Sequence, residues 1–174
     1  MVQEYPIIAL IGDRGGGKTV TLTALGKMLQ ARGLTIFANF TLYDTDYQHI
    51  EFNDIVDFPE YLHDGVILID EAHIGTDAYA FFTKRVKEIT KFATQTRKRK
   101  LIFIFATQVF TQTAKRLRDL TNYIIYCQTT DFSDIFELRV HDRGTENQGY
   151  IKTLYLHGEP FYKYYDTDEI IELK

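Results

Sequence analysis

A glycine-rich stretch, GDRGGGKT at positions 12–19, carries the clearest chemistry in this sequence. It fits the pattern G-x-x-x-x-G-K-[ST], whose backbone curls tightly enough to direct successive N–H groups at phosphate oxygens. In such a loop Lys18 reaches the β- and γ-phosphates, and Thr19 offers its hydroxyl to Mg²⁺. A plain glycine-rich turn is the alternative, but an apolar run precedes the stretch and helical spacing follows it. The sequence therefore predicts a nucleotide site made of Gly12, Asp13, Arg14, Gly15, Gly16, Gly17, Lys18, Thr19 and Val20.

Two adjacent carboxylates follow another apolar run, in VILIDEAH at positions 66–73. The four apolar residues before the pair place it at the carboxyl edge of a sheet, where α/β proteins bind ligands. At that edge Asp70 is suited to hold Mg²⁺ through water, and Glu71 to polarise an attacking water. A glutamate directly after the aspartate favours hydrolysis over transfer to a small acceptor. The sequence therefore predicts an ATPase that uses ATP and Mg²⁺, and GTP is disfavoured because no N-K-x-D motif is present.

Three further side chains are candidates for the reaction. Gln108 follows the apolar run LIFIFAT and is expected at the same sheet edge, where an amide can hydrogen-bond the attacking water or the γ-phosphate. Arg116 and Arg118 lie in KRLRD, two positions apart on a predicted helix and therefore on different faces. Each arginine has two open interpretations: an ordinary ion pair with Asp119 or a neighbouring acid, or a finger that stabilises charge on a transferring phosphoryl group.

Basic residues are concentrated between Thr83 and Lys100, a segment that contains eight of them and a single acidic residue, Glu88. The whole chain carries a net charge of −4, which argues against a protein that coats nucleic acid with its entire surface. The segment has several possible interpretations: a local binding site for a polyanion, a solvated surface, a contact between subunits, or a binding surface for an acidic partner. The candidates for DNA contact are Lys84, Arg85, Lys87, Lys91, Arg97, Lys98, Arg99 and Lys100.

The elements that must position these residues alternate between strands and helices. Apolar runs predict strands at 6–11, 34–40, 66–70, 101–106 and 123–127. Helical spacing predicts a helix after the glycine-rich loop, with Leu22, Leu25, Met28 and Leu29 on its apolar face and Gly33 as its stop, and further helices at 58–63, 79–96 and 113–120. This order predicts an α/β fold: a three-layer, RecA-like P-loop NTPase with a mostly parallel central sheet.

The C-terminal part follows a different pattern. Apolar and polar residues alternate over 136–141 and, more weakly, over 150–156, with a polar, glycine-bearing segment between them. Such alternation predicts half-exposed strands joined as an antiparallel hairpin. We therefore expect one domain over 1–174, with a core at about 5–128 and the hairpin and tail at about 132–174.

Composition limits the remaining possibilities. The 174 residues are 45% hydrophobic and 25% charged, which excludes a disordered, collagen-like or coiled-coil chain. The longest apolar runs fall far short of the roughly 20 residues of a membrane span, and the N-terminus lacks the basic region of a secretory signal. The one cysteine, Cys127, is expected to be a buried apolar residue, and it suits a reducing cytoplasm.

With these motifs placed, the chain resembles the additional-strand class of P-loop ATPases and, within it, the FtsK–HerA group of DNA-pumping motors. The similarity covers about residues 5–127 and rests on GDRGGGKT, VILIDEAH, the glutamine that ends FATQ and the downstream RLR. The resemblance implies a hexameric ring with ATP between subunits, an arginine acting in trans, and movement of double-stranded DNA. The small size is similar to that of viral genome-packaging ATPases, which implies a capsid or portal protein as partner and action in the host cytoplasm.

Two alternatives to a packaging motor remain open. One is a virion assembly ATPase resembling zonula occludens toxin and the filamentous-phage assembly proteins, which typically carry a membrane span. The other is a nucleotide-dependent switch whose output is assembly. Stimulation of hydrolysis by DNA separates the motor from both alternatives.

Overall fold

A mixed β-sheet forms the centre of the protein. The computed structural model describes residues 4–71, 94–113, 115–143 and 149–166. Within these ranges the sheet has eight strands: β1 (Ile7–Ile11), β2 (Thr35–Ala38), β3 (Tyr47–His49), β4 (Gly65–Ile69), β5 (Leu101–Thr107), β6 (Tyr123–Thr129), β7 (Ile135–Asp142) and β8 (Gly149–His157). Their order is β3-β2-β4-β5-β1-β6-β7-β8. The first six strands in this order, β3 through β6, are all parallel to one another. β7 pairs antiparallel with both β6 and β8, so the predicted mostly parallel sheet and the antiparallel hairpin are confirmed.

The strand β5 lies between β1, which leads into the glycine-rich loop, and β4, which leads into the acidic pair. This inserted strand agrees with the additional-strand class that the sequence resembles. In the register of the sheet, Ile11 is opposite Thr107 and Ile69 is opposite Phe105. The residues that follow these three strands therefore reach the same carboxyl edge.

The helices confirm the alternating pattern. They are α1 (Lys18–Gln30), α2 (Phe52–Asp57) and α3 (Lys115–Leu120), with 3₁₀ helices at Phe110–Gln112 and Glu159–Tyr164. The helix predicted at 79–96 lies outside the described residues up to 93, and the chain is helical over 94–98. No helix among the described residues is both long enough and apolar enough to span a membrane.

The short helix predicted at 58–63 is wrong, because the helix of this region lies earlier, at α2. A capping box starts α2, in which the Asp54 carboxylate accepts the backbone N–H of Glu51 at 2.8 Å. Phe58 then takes a left-handed conformation (φ 47°), which ends the helix, and Pro59 follows. The strand β3 was also not predicted, since only three residues form it and two of them are exposed.

Each face of the sheet carries a hydrophobic core. One core contains Phe37, Phe103 and Phe105 and receives Ile55 of α2 and Leu117 of α3. The other contains Leu10, Leu68 and Ala106, and α1 packs into it through Val20 and Leu22. Layers on both sides of the sheet confirm the three-layer prediction.

The apolar face predicted for α1 is partly wrong. Met28 is 55% exposed, whereas Val20, Leu22 and Ala24 are buried together with the threonines between them. The first half of α1 is thus buried around most of its circumference. A further segment packs on this helix and supplies the additional cover.

Residues 158–166, which we call the C-terminal strap, lie against α1. The strap begins where Gly158 donates its N–H at 2.7 Å to the carbonyl of Asp134, in the turn between β6 and β7. Its 3₁₀ helix places the Tyr164 ring 4.7 Å from the Lys27 ammonium of α1. On the far side Tyr165 forms an antiparallel bridge with Leu42, beyond the end of β2. Burial, with Tyr162 and Asp70 adding to it, raises the pKa of Tyr165 to about 12. The strap therefore joins the hairpin to the loop that follows β2.

Candidate nucleotide site

The glycine-rich loop connects β1 to α1 and adopts a conformation that other residues resist. Gly17 has φ 88°, and a Cβ on it would overlap a ring carbon of Phe136. A Cβ on Gly12 would overlap the Cys127 carbonyl oxygen. The loop therefore rests directly on β6 and β7, with no room for side chains at these two positions. Cys127 is buried as predicted, and burial raises the pKa of its thiol to about 11.

Lys18 is the first residue of α1 and is almost fully buried, with 8% of it exposed. Its ammonium donates hydrogen bonds to the carbonyls of Gly12 and Asp13, at 3.0 and 2.8 Å. These bonds hold the positive charge inside the curl of the loop. Phosphate oxygens entering the loop would meet this charge, together with the N–H groups at the start of α1.

Thr19 and Asp70 meet across the site, 51 positions apart in sequence. The Thr19 hydroxyl donates to Asp70 Oδ2 at 2.6 Å, and Asp70 Oδ1 accepts the N–H of Glu71 at 2.9 Å. Burial is the largest influence on Asp70 and raises the pKa of its carboxyl. A hydroxyl and a carboxylate are oxygen donors of the kind that Mg²⁺ prefers, with phosphates and water completing its shell. The two residues therefore fit the predicted Mg²⁺ site.

Glu71 follows Asp70 at the carboxyl edge and is half-buried. Its backbone is left-handed, with φ 51°, a conformation that is uncommon for a residue other than glycine. Such outliers are concentrated at functional sites. The geometry places the predicted general base immediately beside Asp70, the predicted Mg²⁺ ligand.

Asn39, at the end of β2, is a site residue that sequence reasoning missed. Its Oδ1 accepts the Asp70 N–H at 2.8 Å, and its Nδ2 donates to the Asp70 carbonyl at 3.2 Å. This amide therefore fixes the backbone of Asp70 from the neighbouring strand. A signal was present, since Asn39 is a polar residue that directly follows the apolar run IFA, as Asp70 and Gln108 follow theirs.

Gln108 follows β5 and is half-buried. The parallel pair Ile11–Thr107 immediately precedes Gly12 on one strand and Gln108 on the other. The structure thus places Gln108 beside the start of the loop, at the end of the strand that lies between β1, which leads into the loop, and β4, which leads into Asp70. Its role in the reaction stays a prediction.

The two arginine candidates lie on α3. The Arg118 guanidinium donates to the Thr111 carbonyl at 2.5 Å, and Arg143 donates to the Arg118 carbonyl at 3.1 Å. Arg118 is thus bound within its own chain. Arg116 lies in the same helix, and its side chain lies outside the described part of the structure.

The described part of the basic stretch, residues 97–100, lies away from the nucleotide site. Lys84, Arg85, Lys87 and Lys91 lie outside the described residues, and positions 97–100 directly precede β5, at the amino edge of the sheet. There Arg99 donates to the Pro59 carbonyl at 2.5 Å and stacks 5.5 Å from the Phe58 ring centre. Lys100 pairs with Asp64 at 3.6 Å, whereas Arg97 and Lys98 are exposed.

Several solved structures have the same fold. No family model matches the sequence, and no curated protein is significantly similar to it. The N-terminal domain of zonular occludens toxin from Neisseria meningitidis superimposes with a TM-score of 0.64 at 14% identity, over 94% of this chain and all of that one. Another solved structure, of an ATPase domain, superimposes with a TM-score of 0.63 at 7% identity, over 95% of this chain and 86% of that one. The genome packaging NTPase B204 from Sulfolobus turreted icosahedral virus 2, in complex with ATP-γ-S, superimposes with a TM-score of 0.57 at 16% identity, over 87% of this chain and 98% of that one.

The identities are low, so these likenesses concern the fold. They agree with the layered α/β architecture described above. The chain therefore has the fold of the P-loop NTPases, the class that its sequence resembles.

Proposed function

We propose that the protein hydrolyses ATP at the loop of residues 12–19 and uses this reaction to move double-stranded DNA, as in the packaging of a viral genome. One observation carries the hydrolytic part of the proposal. The fold brings Lys18, Thr19, Asp70 and Glu71 to one edge of the sheet, although they come from two distant segments. The similarity in fold to an ATPase domain and to a packaging NTPase supports it.

Each residue has a defined task in this reaction. The loop amides and Lys18 hold the phosphates, so the Lys18 ammonium exchanges its bonds to the Gly12 and Asp13 carbonyls for bonds to phosphate oxygens. Thr19 would hold Mg²⁺ through its hydroxyl and Asp70 would hold it through water, and the ion would supply charge neutralisation at the β- and γ-phosphates. Glu71 takes the proton of the attacking water, and Gln108 orients that water or the γ-phosphate.

DNA would be held through its phosphates, since a motor that moves along any sequence needs contacts that do not read bases. Arg97 and Lys98 are the exposed candidates in the described part of the basic stretch. Arg99 and Lys100 also serve the fold, through Pro59 and Asp64. These positions lie at the amino edge of the sheet, so the proposal places DNA and ATP at opposite edges.

The motor would work as a ring, with six subunits as the resemblance implies. Each ATP would lie between subunits and receive an arginine from the neighbour, Arg116 or Arg118, to stabilise charge on the transferring phosphoryl group. Arg14 is exposed within the loop, and a phosphate or an adjacent subunit is its candidate partner. A capsid or portal protein would supply the DNA entrance. We place this activity in the cytoplasm, where free thiols such as that of Cys127 persist.

A virion assembly ATPase is the second candidate. The observation in its favour is the fold similarity to the zonular occludens toxin domain, which extends over the whole of that domain. Such a protein would hydrolyse ATP at the same residues but would not respond to DNA.

Steady-state ATP hydrolysis with and without double-stranded DNA, at low and at moderate salt, tests the proposal. We expect DNA to stimulate hydrolysis and the stimulation to fade as salt rises, because phosphate contacts release counterions. Lys98→Glu should weaken the stimulation, whereas Lys152→Glu, at another exposed lysine on β8, should leave it unchanged. Hydrolysis that ignores DNA at every salt concentration would contradict the motor and favour the assembly ATPase.

A further inference from the structure

The direction of a nucleotide bound in the loop follows from the residues around it. Thr19 and Asp70, the predicted Mg²⁺ ligands, meet on the β4 side of the loop. An ion held by them would neutralise charge at the β- and γ-phosphates, so the terminal phosphate would lie on this side, toward β5 and β4. The sugar and base must then leave the loop in the opposite direction, toward β6 and β7.

An exposed aromatic side chain stands on that side. The turn between β6 and β7 carries Phe132, which is 72% exposed. Thr129 and Phe136 form the last pair before this turn, and Phe136 packs directly against Gly17 of the loop. Phe132 precedes Phe136 by four positions, so the two Cα atoms lie within about 14 Å of each other.

The turn is held firmly although Phe132 itself is uncovered. The Thr130 hydroxyl accepts the Phe132 N–H at 3.2 Å and lies 2.9 Å from the Ile135 carbonyl, to which it donates. From the strap, Tyr162 donates its hydroxyl to Asp134 Oδ1 at 2.8 Å. The turn that carries this exposed aromatic ring is therefore held in place, four positions before the residue that packs against the phosphate loop.

We propose that the turn of residues 130–134 is the base subsite of the nucleotide site, and that the purine ring of ATP stacks on the face of Phe132. The proposal rests on the proposed binding of ATP at the loop. An aromatic face suits this task because every base presents a π-face to it, and such contacts are favourable even when partly exposed. Phe132 would then contribute affinity for the nucleoside, while the loop contributes affinity for the phosphates.

The chain contains no tryptophan, which provides a direct test. Phe132→Trp introduces a single reporter at the proposed subsite, and stacking of adenine should quench its fluorescence as ATP is added. Inorganic tripolyphosphate should occupy the loop without this quenching. Tyr155→Trp is the matched control, because Tyr155 is 67% exposed on β8, at the edge of the sheet, and its reporter should respond to neither compound.

Calorimetry completes the test with unlabelled protein. Phe132→Ala should weaken ATP binding about tenfold and leave tripolyphosphate binding unchanged. An ATP affinity that Phe132→Ala does not alter, or quenching of Phe132→Trp by ATP and tripolyphosphate alike, would overturn the subsite while leaving the phosphate loop intact. If the wild-type protein binds neither compound, the proposed function fails together with the subsite.

Discussion

Asn39 forms two hydrogen bonds with the backbone of Asp70, one to its N–H at 2.8 Å and one to its carbonyl at 3.2 Å. The two residues directly follow neighbouring strands, β2 and β4, so the amide ties the predicted Mg²⁺ ligand to the sheet. Partners that orient a metal ligand in this way commonly affect metal affinity or activity by about 10–100-fold. Asn39 is therefore a positioning residue for the predicted reaction.

Asn39→Ala should lower ATP turnover about tenfold and raise the Mg²⁺ concentration needed for half-maximal activity, because Asp70 loses its fixed backbone. A Mg²⁺ titration of the hydrolysis rate measures both effects. Asn122→Ala is the matched control, since the Asn122 side chain accepts the Ile7 N–H at 2.8 Å at the amino edge of the sheet. If both variants shift the Mg²⁺ dependence equally, Asn39 has only a structural role.

Asp70→Asn should stabilise the protein in the absence of Mg²⁺ and abolish Mg²⁺-dependent hydrolysis. Burial raises the pKa of Asp70, so the ionised carboxylate reduces the stability of the fold at neutral pH. A gain of about 1 kcal/mol would raise the Tm by about 2–4 °C, which thermal unfolding in EDTA detects. Asp64→Asn should give no such gain, because a hydrogen bond from His63 lowers the pKa of Asp64. A lower Tm for Asp70→Asn would contradict the prediction.

Lys18→Ala and Glu71→Gln should separate binding from turnover. Without the Lys18 ammonium inside the loop, nucleotide binding should be lost. Without the Glu71 carboxylate, ATP should still bind, while hydrolysis falls by about 10²–10⁴-fold, the usual contribution of a general base. Equilibrium binding and single-turnover hydrolysis measure the two steps. Lys27→Ala, in the same helix but against Tyr164, should retain both activities. Wild-type hydrolysis in Lys18→Ala and Glu71→Gln would contradict the assignment of the site.

The arginine acting in trans should be Arg116, because the Arg118 guanidinium is bound to the Thr111 carbonyl of its own chain. In an assembled oligomer Arg116→Ala should reduce turnover by about 10³-fold or more, and Arg118→Ala much less. A mixture of the inactive variants Arg116→Ala and Glu71→Gln should regain activity, since some interfaces then combine an intact Glu71 with an intact arginine. Unchanged turnover in both arginine variants would exclude a finger on α3.

Tyr162 should give the protein a distinct sensitivity to alkaline pH. Burial and its hydrogen bond to Asp134 raise the pKa of Tyr162 to about 12, above the usual value near 10. Its neutral form is favoured in the fold, so its stabilising effect is present below about pH 10 and is lost between about pH 10 and 12. The stability difference between the wild type and Tyr162→Phe, from urea unfolding, should therefore shrink over this range. Tyr155→Phe, at an exposed position, should show no comparable trend.

The sequence predicts the sheet well because its inner strands are short apolar runs, buried on both faces and ended by glycine or polar residues. β4 is buried along its whole length, and the register of β1, β4 and β5 brings the ends of these strands to one edge of the sheet. Because parallel strands all end at the same edge of the sheet, the residues that follow separate strands lie near one another and can form one site. Lys18, Thr19, Asp70, Glu71 and Gln108 could thus be placed without any information on long-range contacts.

Features that depend on distant partners could not be read in this way. Met28 follows the helical spacing of α1, yet it is exposed because the strap and the sheet cover other parts of that helix. The position of α2 is a different case, because the capping box of Glu51 and Asp54 that starts it is local in sequence, yet the helix was predicted later, at 58–63. In the basic stretch, Arg99 and Lys100 are held by the Pro59 carbonyl and the Asp64 carboxylate, whereas the two residues before them are exposed. The sequence of the basic stretch does not show which of its side chains meet these distant partners.

The strap also affects the order in which parts of the protein can fold during synthesis. The loop and α1 leave the ribosome early, whereas the bridge that Tyr165 makes with Leu42 requires nearly the whole described chain to have been made. The loop gains the residues on which it rests once Cys127 and Phe136 have been made, and the outer side of α1 is covered only after the strap has followed. A nascent chain halted before β6 would therefore display a complete phosphate-binding motif without the support that holds it in shape.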